Sequence, residues 1–362
     1  MFDNRNGHNS IAMSHLISSA PVVSRSAIKG ARPKAAYMLG SESYDMIYPT
    51  EVRLALGQLL DIVDLKYFTN KEGGDLPRLD EIEVLLSGWN MKLMDQEFLD
   101  SMPNLKVVFY GAGSIRYIAT PEFWKRNIQI SSSYATNAVP VAEFTMSAIL
   151  LSLKHFWKFS RMVKSGEGWG DHTRPVPGAF YSKVGVVSCG MTARKTMELL
   201  QPFDLDLEVY CPFLTASEAD ELGVARASLK DIFRNNDVVT LHTPNLPETF
   251  GLIGREYFEL MPEGATFINT ARGQIVREDE MIEVARERPD LSFVLDVTHP
   301  EPPVKDSPLL SLPNVVLTPH IAGSMGPEVG RMGASVVSEV KRYLAGKPLK
   351  WAVSEELSKR MA

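Results

Sequence analysis

The stretch VGVVSCGMTARKTM, residues 184–197, has the pattern of a buried strand that runs through a short loop into a helix. A loop of this kind binds a dinucleotide when it carries G-x-G-x-x-G/A, in which the middle glycine lets the backbone approach the pyrophosphate. The three places hold Ser188, Gly190 and Ala193, so the middle glycine is kept, alanine is an allowed third residue, and Ser188 is the departure. Many α/β proteins contain a strand, a loop with one glycine and a helix, so the loop alone does not decide the function.

Around this stretch, short apolar runs alternate with helical patterns from Lys34 onward. Such alternation predicts parallel strands joined by crossover helices. The series that begins at Lys183 contains six strand patterns, the number that a doubly wound dinucleotide-binding sheet needs. Between the two series, the apolar composition predicts one long helix, buried nearly all round, from about Val141 to Val163.

Composition narrows the classes of partner. Apolar residues make up 44% of the chain and charged residues 23%, and the net charge is −6, which opposes broad affinity for nucleic acid or anionic membranes. The longest apolar run, around Phe144 to Leu153, is expected to be too short for a membrane span, which needs roughly 20 residues. The two cysteines, Cys189 and Cys211, suggest no disulfide framework and favour a reducing compartment, the cytoplasm.

Three successive strands of the second series each end near a polar residue that carries chemistry. The stretch ATFINTARG contains Arg272, SFVLDVTHPEP contains Glu301 and VVLTPHIAG contains His320. Ligands of open α/β sheets bind beyond the carboxyl ends of the strands. Each residue alone has an ordinary structural interpretation, as a surface ion pair, a loop acid or a core histidine. Their coincidence at one sheet edge predicts an anion-binding guanidinium, a carboxylate and an imidazole in one site.

The motifs that contain these residues resemble those of the D-isomer-specific 2-hydroxyacid dehydrogenases, which include phosphoglycerate, glyoxylate/hydroxypyruvate and D-lactate dehydrogenases. The resemblance covers nearly the whole chain from about Lys34, and its motifs are NTARGQIV, LDVTHPEPP, LPNVVLTPHIAG, NLKVVFYGAGSI, NAVPVAEFT and LHTPNLPET. It implies that Arg272 holds the substrate carboxylate, that His320 is the acid/base and that Glu301 is its partner. The backbone amides of Gly113 and Ser114 resemble the second carboxylate contact.

Elementary chemistry agrees with these roles. A planar guanidinium binds a carboxylate through two hydrogen bonds, which suits Arg272. When hydride reaches C2 of a 2-oxo acid, the carbonyl oxygen needs a proton, and an imidazole is suited to donate one, which is the role expected of His320. Glu301 beside it would favour the charged imidazole and fix its tautomer. His242, which also ends a strand, is interpreted as structural because a proton donor is already assigned.

The fold class that follows is α/β, with two doubly wound parallel-sheet domains, a flavodoxin-like substrate domain and a Rossmann dinucleotide-binding domain. Residues 1–33, rich in serine and poor in acids, are expected to form a flexible extension, although a transit peptide would look similar. The expected limits are 34–137 for the first part of the substrate domain, 138–322 for the dinucleotide-binding domain and 323–362 for a C-terminal helix that returns to the substrate domain.

Cofactor choice is open at the sequence level. The acid expected about 20 residues after the loop, which would bind the ribose hydroxyls, is replaced by Cys211, and no arginine follows directly in CPFLT. Either NAD or NADP is therefore expected to be usable, with a preference below about 2 kcal/mol. No metal is expected. The residues expected to contact the cofactor are Ser188, Gly190, Met191, Thr192, Cys211, Thr243, Pro244, Thr270 and Asp296.

The sequence thus predicts an oxidoreductase that transfers hydride between a nicotinamide cofactor and a small 2-oxo or 2-hydroxy acid. The alternative is a regulatory dinucleotide-binding protein on the same fold, which the departure at Ser188 favours. A homodimer is expected from the family tendency to associate through the cofactor domains, with the apolar helix from Val141 at the interface.

Overall fold

The computed structural model describes residues 31–68, 79–167, 169 and 176–361. The strands are β1 (Lys34–Leu39), β2 (Asp61–Phe68), β3 (Val84–Ser87), β4 (Val107–Tyr110), β5 (Gln129–Ser132), β6 (Phe180–Val187), β7 (Asp204–Tyr210), β8 (Ala225–Arg226), β9 (Val238–Leu241), β10 (Thr266–Asn269), β11 (Ser292–Leu295) and β12 (Val315–Leu317). The α-helices are α1 (Ser41–Ile47), α2 (Thr50–Leu59), α3 (Gln96–Ser101), α4 (Pro121–Lys125), α5 (Tyr134–Leu153), α6 (Phe156–Lys164), α7 (Met191–Leu200), α8 (Ala216–Leu222), α9 (Leu229–Asn235), α10 (Arg255–Phe258), α11 (Glu278–Glu287), α12 (Val329–Leu344) and α13 (Glu355–Ser358).

The chain divides into two compact units. One ends at Asn137 and resumes over Ser324–Met361, and the other spans Ala138–Gly323. The limits 34–137, 138–322 and 323–362 remain the proposed domain limits. The expected flexible extension over residues 1–33 lies outside the described residues except for its last three.

The first unit contains a five-stranded sheet in the order β2-β1-β3-β4-β5, with every pairing parallel. This is the flavodoxin-like order, as predicted. Successive residues of a strand point to opposite faces. In β4, Val107 and Phe109 belong to one hydrophobic core and Val108 and Tyr110 to the other, so both faces are covered. Helices α2 and α12 supply residues of the first of these cores.

The second unit contains a seven-stranded parallel sheet in the order β12-β11-β10-β9-β6-β7-β8. Its centre has the Rossmann order predicted from the sequence. The six predicted strands are present, and β8 is an additional two-residue strand at the edge, too short to show a hydrophobic period. Phe267 packs into the core on one face of the sheet and Ile268 into the core on the other.

The prediction of a single helix from about Val141 to Val163 is wrong. The chain forms α5 and α6 instead, and His155 between them has a φ of 49°, a left-handed conformation that interrupts a right-handed helix. The expectation of burial nearly all round also fails for α6, which contains no buried residue. The prediction that the aromatic and aliphatic residues of α6 are buried in the core is therefore wrong.

The length of α5 corrects a second expectation. This helix has 20 residues and a mean hydropathy of 1.3 over its most apolar window, so by length and composition alone it could cross a membrane. The expectation that the apolar run was too short for a span was therefore wrong. Ala148, Ile149 and Leu153 of α5 are buried in a core of the second unit, which is the usual reason for such a composition in a globular domain.

Candidate active site

The predicted site residues of the second unit follow the carboxyl ends of its parallel strands, which meet at one edge of a sheet. Ser188 follows β6, Cys211 follows β7 and His320 follows β12. The other residues that do so are Thr243 and Pro244 after β9, Thr270 and Arg272 after β10, and Asp296 and Glu301 after β11. Gly113 and Ser114 follow β4 of the first unit.

His320 and Glu301 are in direct contact. His320 Nδ1 lies 2.5 Å from Glu301 Oε1, and the two side chains are 44% and 40% exposed. A carboxylate on Nδ1 favours a proton on that nitrogen and leaves Nε2 as the ring atom able to exchange a proton with a ligand. The predicted partnership therefore has the geometry of an oriented acid/base.

The loop that carries His320 is held by the carboxylate of Asp296, which is buried. Asp296 Oδ1 accepts hydrogen bonds from the Thr318 hydroxyl at 2.6 Å and from the Ile321 N–H at 2.8 Å, and Oδ2 accepts one from the Ala322 N–H at 2.9 Å. The His320 N–H also donates to the backbone oxygen of Asp296 at 3.0 Å. Asp296 is thus a positioning residue for His320, and its contact with the cofactor stays a prediction.

Arg272 begins the loop after β10 and is partly buried. Its Nη1 donates to the Ala271 oxygen at 2.6 Å, and its own backbone oxygen accepts from Asn269 Nδ2 at 3.1 Å. The next residue, Gly273, packs so closely on the loop after β11 that a Cβ would lie 2.1 Å from the carbonyl carbon of Thr298. The loops that bear Arg272 and Glu301 are therefore in contact through a position that only glycine can occupy.

The nucleotide loop combines strain with an open helix end. Ser188 has a φ of 87°, a conformation that suits the glycine usual at this place, and its N–H donates to Tyr210 O at 2.7 Å. Gly190 precedes α7 with an ordinary φ of −75°, and a Cβ there would meet nothing within 4 Å. Packing within the described chain therefore does not require glycine at position 190. The first N–H groups of α7 have no acceptor within the helix and no side-chain cap, which is the arrangement that binds phosphate.

His242 has the structural character expected of it. Its Nε2 lies 3.1 Å from Thr240 Oγ1, and its N–H donates to Val187 O at 2.9 Å. Burial of the imidazole lowers the pKa of His242 to about 4, so the ring is neutral at physiological pH. A neutral, hydrogen-bonded imidazole is a poor proton donor. Thr270, also buried, has its hydroxyl 3.2 Å from that of Thr145 on α5.

Sequence reasoning missed one residue of the site, Arg226. Cys211, at the place of the expected acid, lines a cavity of about 530 Å³ together with Arg226. Arg226 ends β8 and pairs with Val209 of β7, so strand pairing brings it to the end of the strand that precedes Cys211. A two-residue strand such as β8 shows no hydrophobic period, so the sequence does not indicate that Arg226 lies beside Cys211.

Comparison with known proteins identifies the family. The sequence profile of the D-isomer specific 2-hydroxyacid dehydrogenase family, NAD binding domain, matches residues 146–322. YoaD of Bacillus subtilis, which bears the name of a 2-hydroxyacid dehydrogenase, is 32% identical over 76% of this chain and 83% of its own length. A glyoxylate reductase of Thermofilum pendens is 28% identical over 74% of this chain and 80% of its own.

A solved structure shows the same fold. The D-isomer specific 2-hydroxyacid dehydrogenase of Xanthobacter autotrophicus, in complex with NADPH and MES, superposes with a TM-score of 0.72 at 24% identity, covering 91% of this chain and 100% of that one. The family is shown by YoaD, of whose length this chain covers 83% at 32% identity, and the matching profile names the same family. This chain belongs to the D-isomer specific 2-hydroxyacid dehydrogenases and is an NAD-binding oxidoreductase.

Proposed function

We propose that this protein reduces a small 2-oxo acid to the D-2-hydroxy acid, and catalyses the reverse reaction, with His320 as the acid/base. The observation that carries the proposal is the contact of 2.5 Å between His320 Nδ1 and Glu301 Oε1 at the strand ends. The nicotinamide, when bound, supplies or accepts the hydride at C2. His320 Nε2 gives the proton to the carbonyl oxygen during reduction, and Glu301 stabilises the charged imidazole before that transfer.

Arg272 holds the carboxylate of the substrate in this proposal. Its guanidinium is partly buried and, within the described part of the chain, donates one hydrogen bond, to the neutral acceptor Ala271 O, which leaves most of its donors for a ligand. The contact also orients the adjacent carbonyl, so it contributes to rate as well as to affinity. Gly113 and Ser114 are proposed, from the family resemblance, as donors of further backbone hydrogen bonds to the same carboxylate.

The cofactor fits the residues around α7. Since neither φ nor packing requires glycine at 190, its missing side chain leaves space for a group outside the chain, and the helix end supplies backbone donors for a pyrophosphate. Met191 and Thr192 would provide those donors. Thr243, Pro244 and Thr270 lie at neighbouring strand ends, where the rest of the dinucleotide is proposed to bind.

The experiment that tests the function is steady-state oxidation of NADH and of NADPH with a panel of 2-oxo acids, including glyoxylate, hydroxypyruvate, pyruvate and phenylpyruvate. We expect saturable turnover with at least one acid, and a product of D configuration by chiral chromatography. Tight cofactor binding with no turnover on any acid would instead favour the regulatory dinucleotide-binding protein.

A homodimer is proposed as the assembly. Leu151, Phe156, Phe180 and Tyr181 of the second unit are all exposed, and the Gly178 N–H donates to Leu153 O at 2.8 Å, which ties the start of β6 to the end of α5. An exposed apolar group of this kind favours contact with another protein surface. Light scattering after gel filtration should give twice the monomer mass, and Phe180→Asp with Tyr181→Asp should reduce it. Leu310→Asp, another exposed apolar position, is the control.

The cytoplasm, or another reducing compartment, is proposed as the location. Both cysteines of the chain, Cys189 and Cys211, are free thiols. The alternative of a transit peptide concerns residues outside the described range.

A further inference from the structure

The cavity at the carboxyl end of β7 lies beside the nucleotide loop. It has a volume of about 530 Å³ and includes Cys211, Pro212 and Arg226 in its wall. The Ser188 N–H donates to Tyr210 O, the residue before Cys211, so the cavity wall adjoins the loop proposed to hold the pyrophosphate. In a dinucleotide-binding sheet, the residue that ends the second strand faces the 2′ position of the adenosine ribose.

Among the described residues that line the cavity, Arg226 is the cation. Arg226 is exposed, and across the described ranges of the chain it has no hydrogen-bond or ion-pair partner. Two carboxylates also line the cavity, and each already has hydrogen-bond or ion-pair partners within the protein. Glu208 accepts from Asn236 Nδ2 at 2.9 Å and has Lys183 Nζ at 4.0 Å.

The second carboxylate, Asp231, accepts from the Ser228 hydroxyl at 2.6 Å and from Arg234 Nη1 at 3.1 Å. With Glu208 and Asp231 each bonded to protein donors, Arg226 is the charge in the wall that is left for a ligand. A guanidinium binds a phosphate through two parallel hydrogen bonds.

We propose that this cavity binds the 2′-phosphate of NADP(H), and that Arg226 selects the phosphorylated cofactor. The inference rests on the proposed function, because it requires the dinucleotide to lie on the β6–α7 loop. An acid at position 211 would bind the free ribose hydroxyls and repel the phosphate, and Cys211 does neither. The sequence predicted weak discrimination because no arginine follows Cys211 directly, and Arg226 changes that expectation to a preference for NADP(H).

The test is the dissociation constants of NADPH and NADH, measured by fluorescence with the full chain and no substrate. We expect NADPH to bind about 10- to 100-fold more tightly, the range that charge-assisted hydrogen bonds produce. Arg226→Ala should remove most of that ratio by weakening NADPH and should leave NADH within about twofold. Cys211→Asp should weaken NADPH and tighten NADH. Lys230→Ala, an exposed cation close in sequence but outside the cavity wall, is the matched control and should change neither constant.

Two further readouts are specific to the phosphate. 2′,5′-ADP should compete with NADPH more strongly than 5′-ADP does, and the NADPH preference should shrink below about pH 6, where a phosphate monoester takes up its second proton. Equal wild-type affinities for NADPH and NADH, or an unchanged ratio in Arg226→Ala, would overturn the role of Arg226 and leave the proposed function intact. Binding of neither cofactor would overturn the proposed function, and this inference with it.

Discussion

Glu301 Oε1 and His320 Nδ1 are 2.5 Å apart, although their residues follow different strands of the sheet. His320 reaches this position with a φ of 54°, and the hydrogen bonds of Asp296 to the surrounding loop hold it there. The strain of a left-handed histidine is tolerated where the surrounding structure determines the conformation, which is common at functional sites. The proposed roles of the two residues can be tested separately.

Removal of the imidazole of His320 should greatly slow the reduction of the 2-oxo acid. In His320→Ala the proton for the product oxygen must come from water, so kcat for reduction should fall by about 10²–10⁴-fold while the dissociation constant of NADPH stays within a few-fold. Stopped-flow single turnovers and fluorescence titration measure the two quantities. His299→Ala, an exposed histidine of the neighbouring loop, is the control, and near-normal turnover in His320→Ala would remove that residue from the mechanism.

Removal of the charge from Glu301 should slow the chemical step. Glu301→Gln keeps the shape but no longer favours a proton on Nδ1 of His320, so kcat for reduction should fall by about tenfold or more while the dissociation constant of NADPH stays within a few-fold. Single-turnover kinetics and fluorescence titration measure the two quantities. An unchanged kcat in Glu301→Gln would mean that Glu301 does not act through His320.

The guanidinium geometry at Arg272 is testable by a substitution that keeps the charge. Arg272→Lys loses the planar pair of donors, so KM for the 2-oxo acid should rise and kcat should fall together, each by about tenfold or more. Steady-state kinetics at saturating NADPH measures both. Arg286→Lys, on the exposed side of α11, should change neither. Unaltered constants in Arg272→Lys would contradict the carboxylate assignment.

Two glycines of the first unit should respond to alanine in opposite directions. A Cβ at Gly333 in α12 would lie 1.8 Å from the Ile47 oxygen, so Gly333→Ala should lower the free energy of unfolding by about 1–3 kcal/mol or more. At Gly57 in α2 a Cβ meets nothing within 4 Å, so Gly57→Ala should raise it by about 0.5–1 kcal/mol. Urea unfolding of both variants and the wild type measures the two changes in the free energy of unfolding. Equal changes in the two variants would refute the close approach at Gly333.

The pKa of His242 predicts a loss of stability in acid. Burial lowers the pKa to about 4 from the ordinary value of 6.5, so between these values the unfolded chain binds the proton and the folded chain does not. The contribution of the neutral His242 to the free energy of unfolding is complete above about pH 6.5 and declines toward pH 4, by at most about 1.4 kcal/mol per pH unit. The decline in urea midpoint from pH 7 to pH 5 should be smaller in His242→Asn. An equal decline would show that His242 does not titrate between the two states.

The sequence by itself determined the elements and the approximate place of the site. Alternating apolar runs and helical patterns identified both parallel sheets, because each period is set by neighbouring residues within one element. The strand ends identified Arg272, Glu301 and His320 together, since parallel strands deliver their carboxyl ends to one edge. The same local reasoning failed at His155, where one left-handed residue divides a run whose composition shows no break.

Only the tertiary structure decided which side chains meet. Periodicity contains no information about lateral contacts between distant segments, and those contacts place Glu301 on Nδ1 of His320 and the carboxylate of Asp296 beneath its loop. The pairing of β8 with β7 brings Arg226 to the cavity of Cys211 in the same way. Local patterns set the strands and helices of this protein, whereas long-range strand pairing and loop packing set the chemistry at their ends.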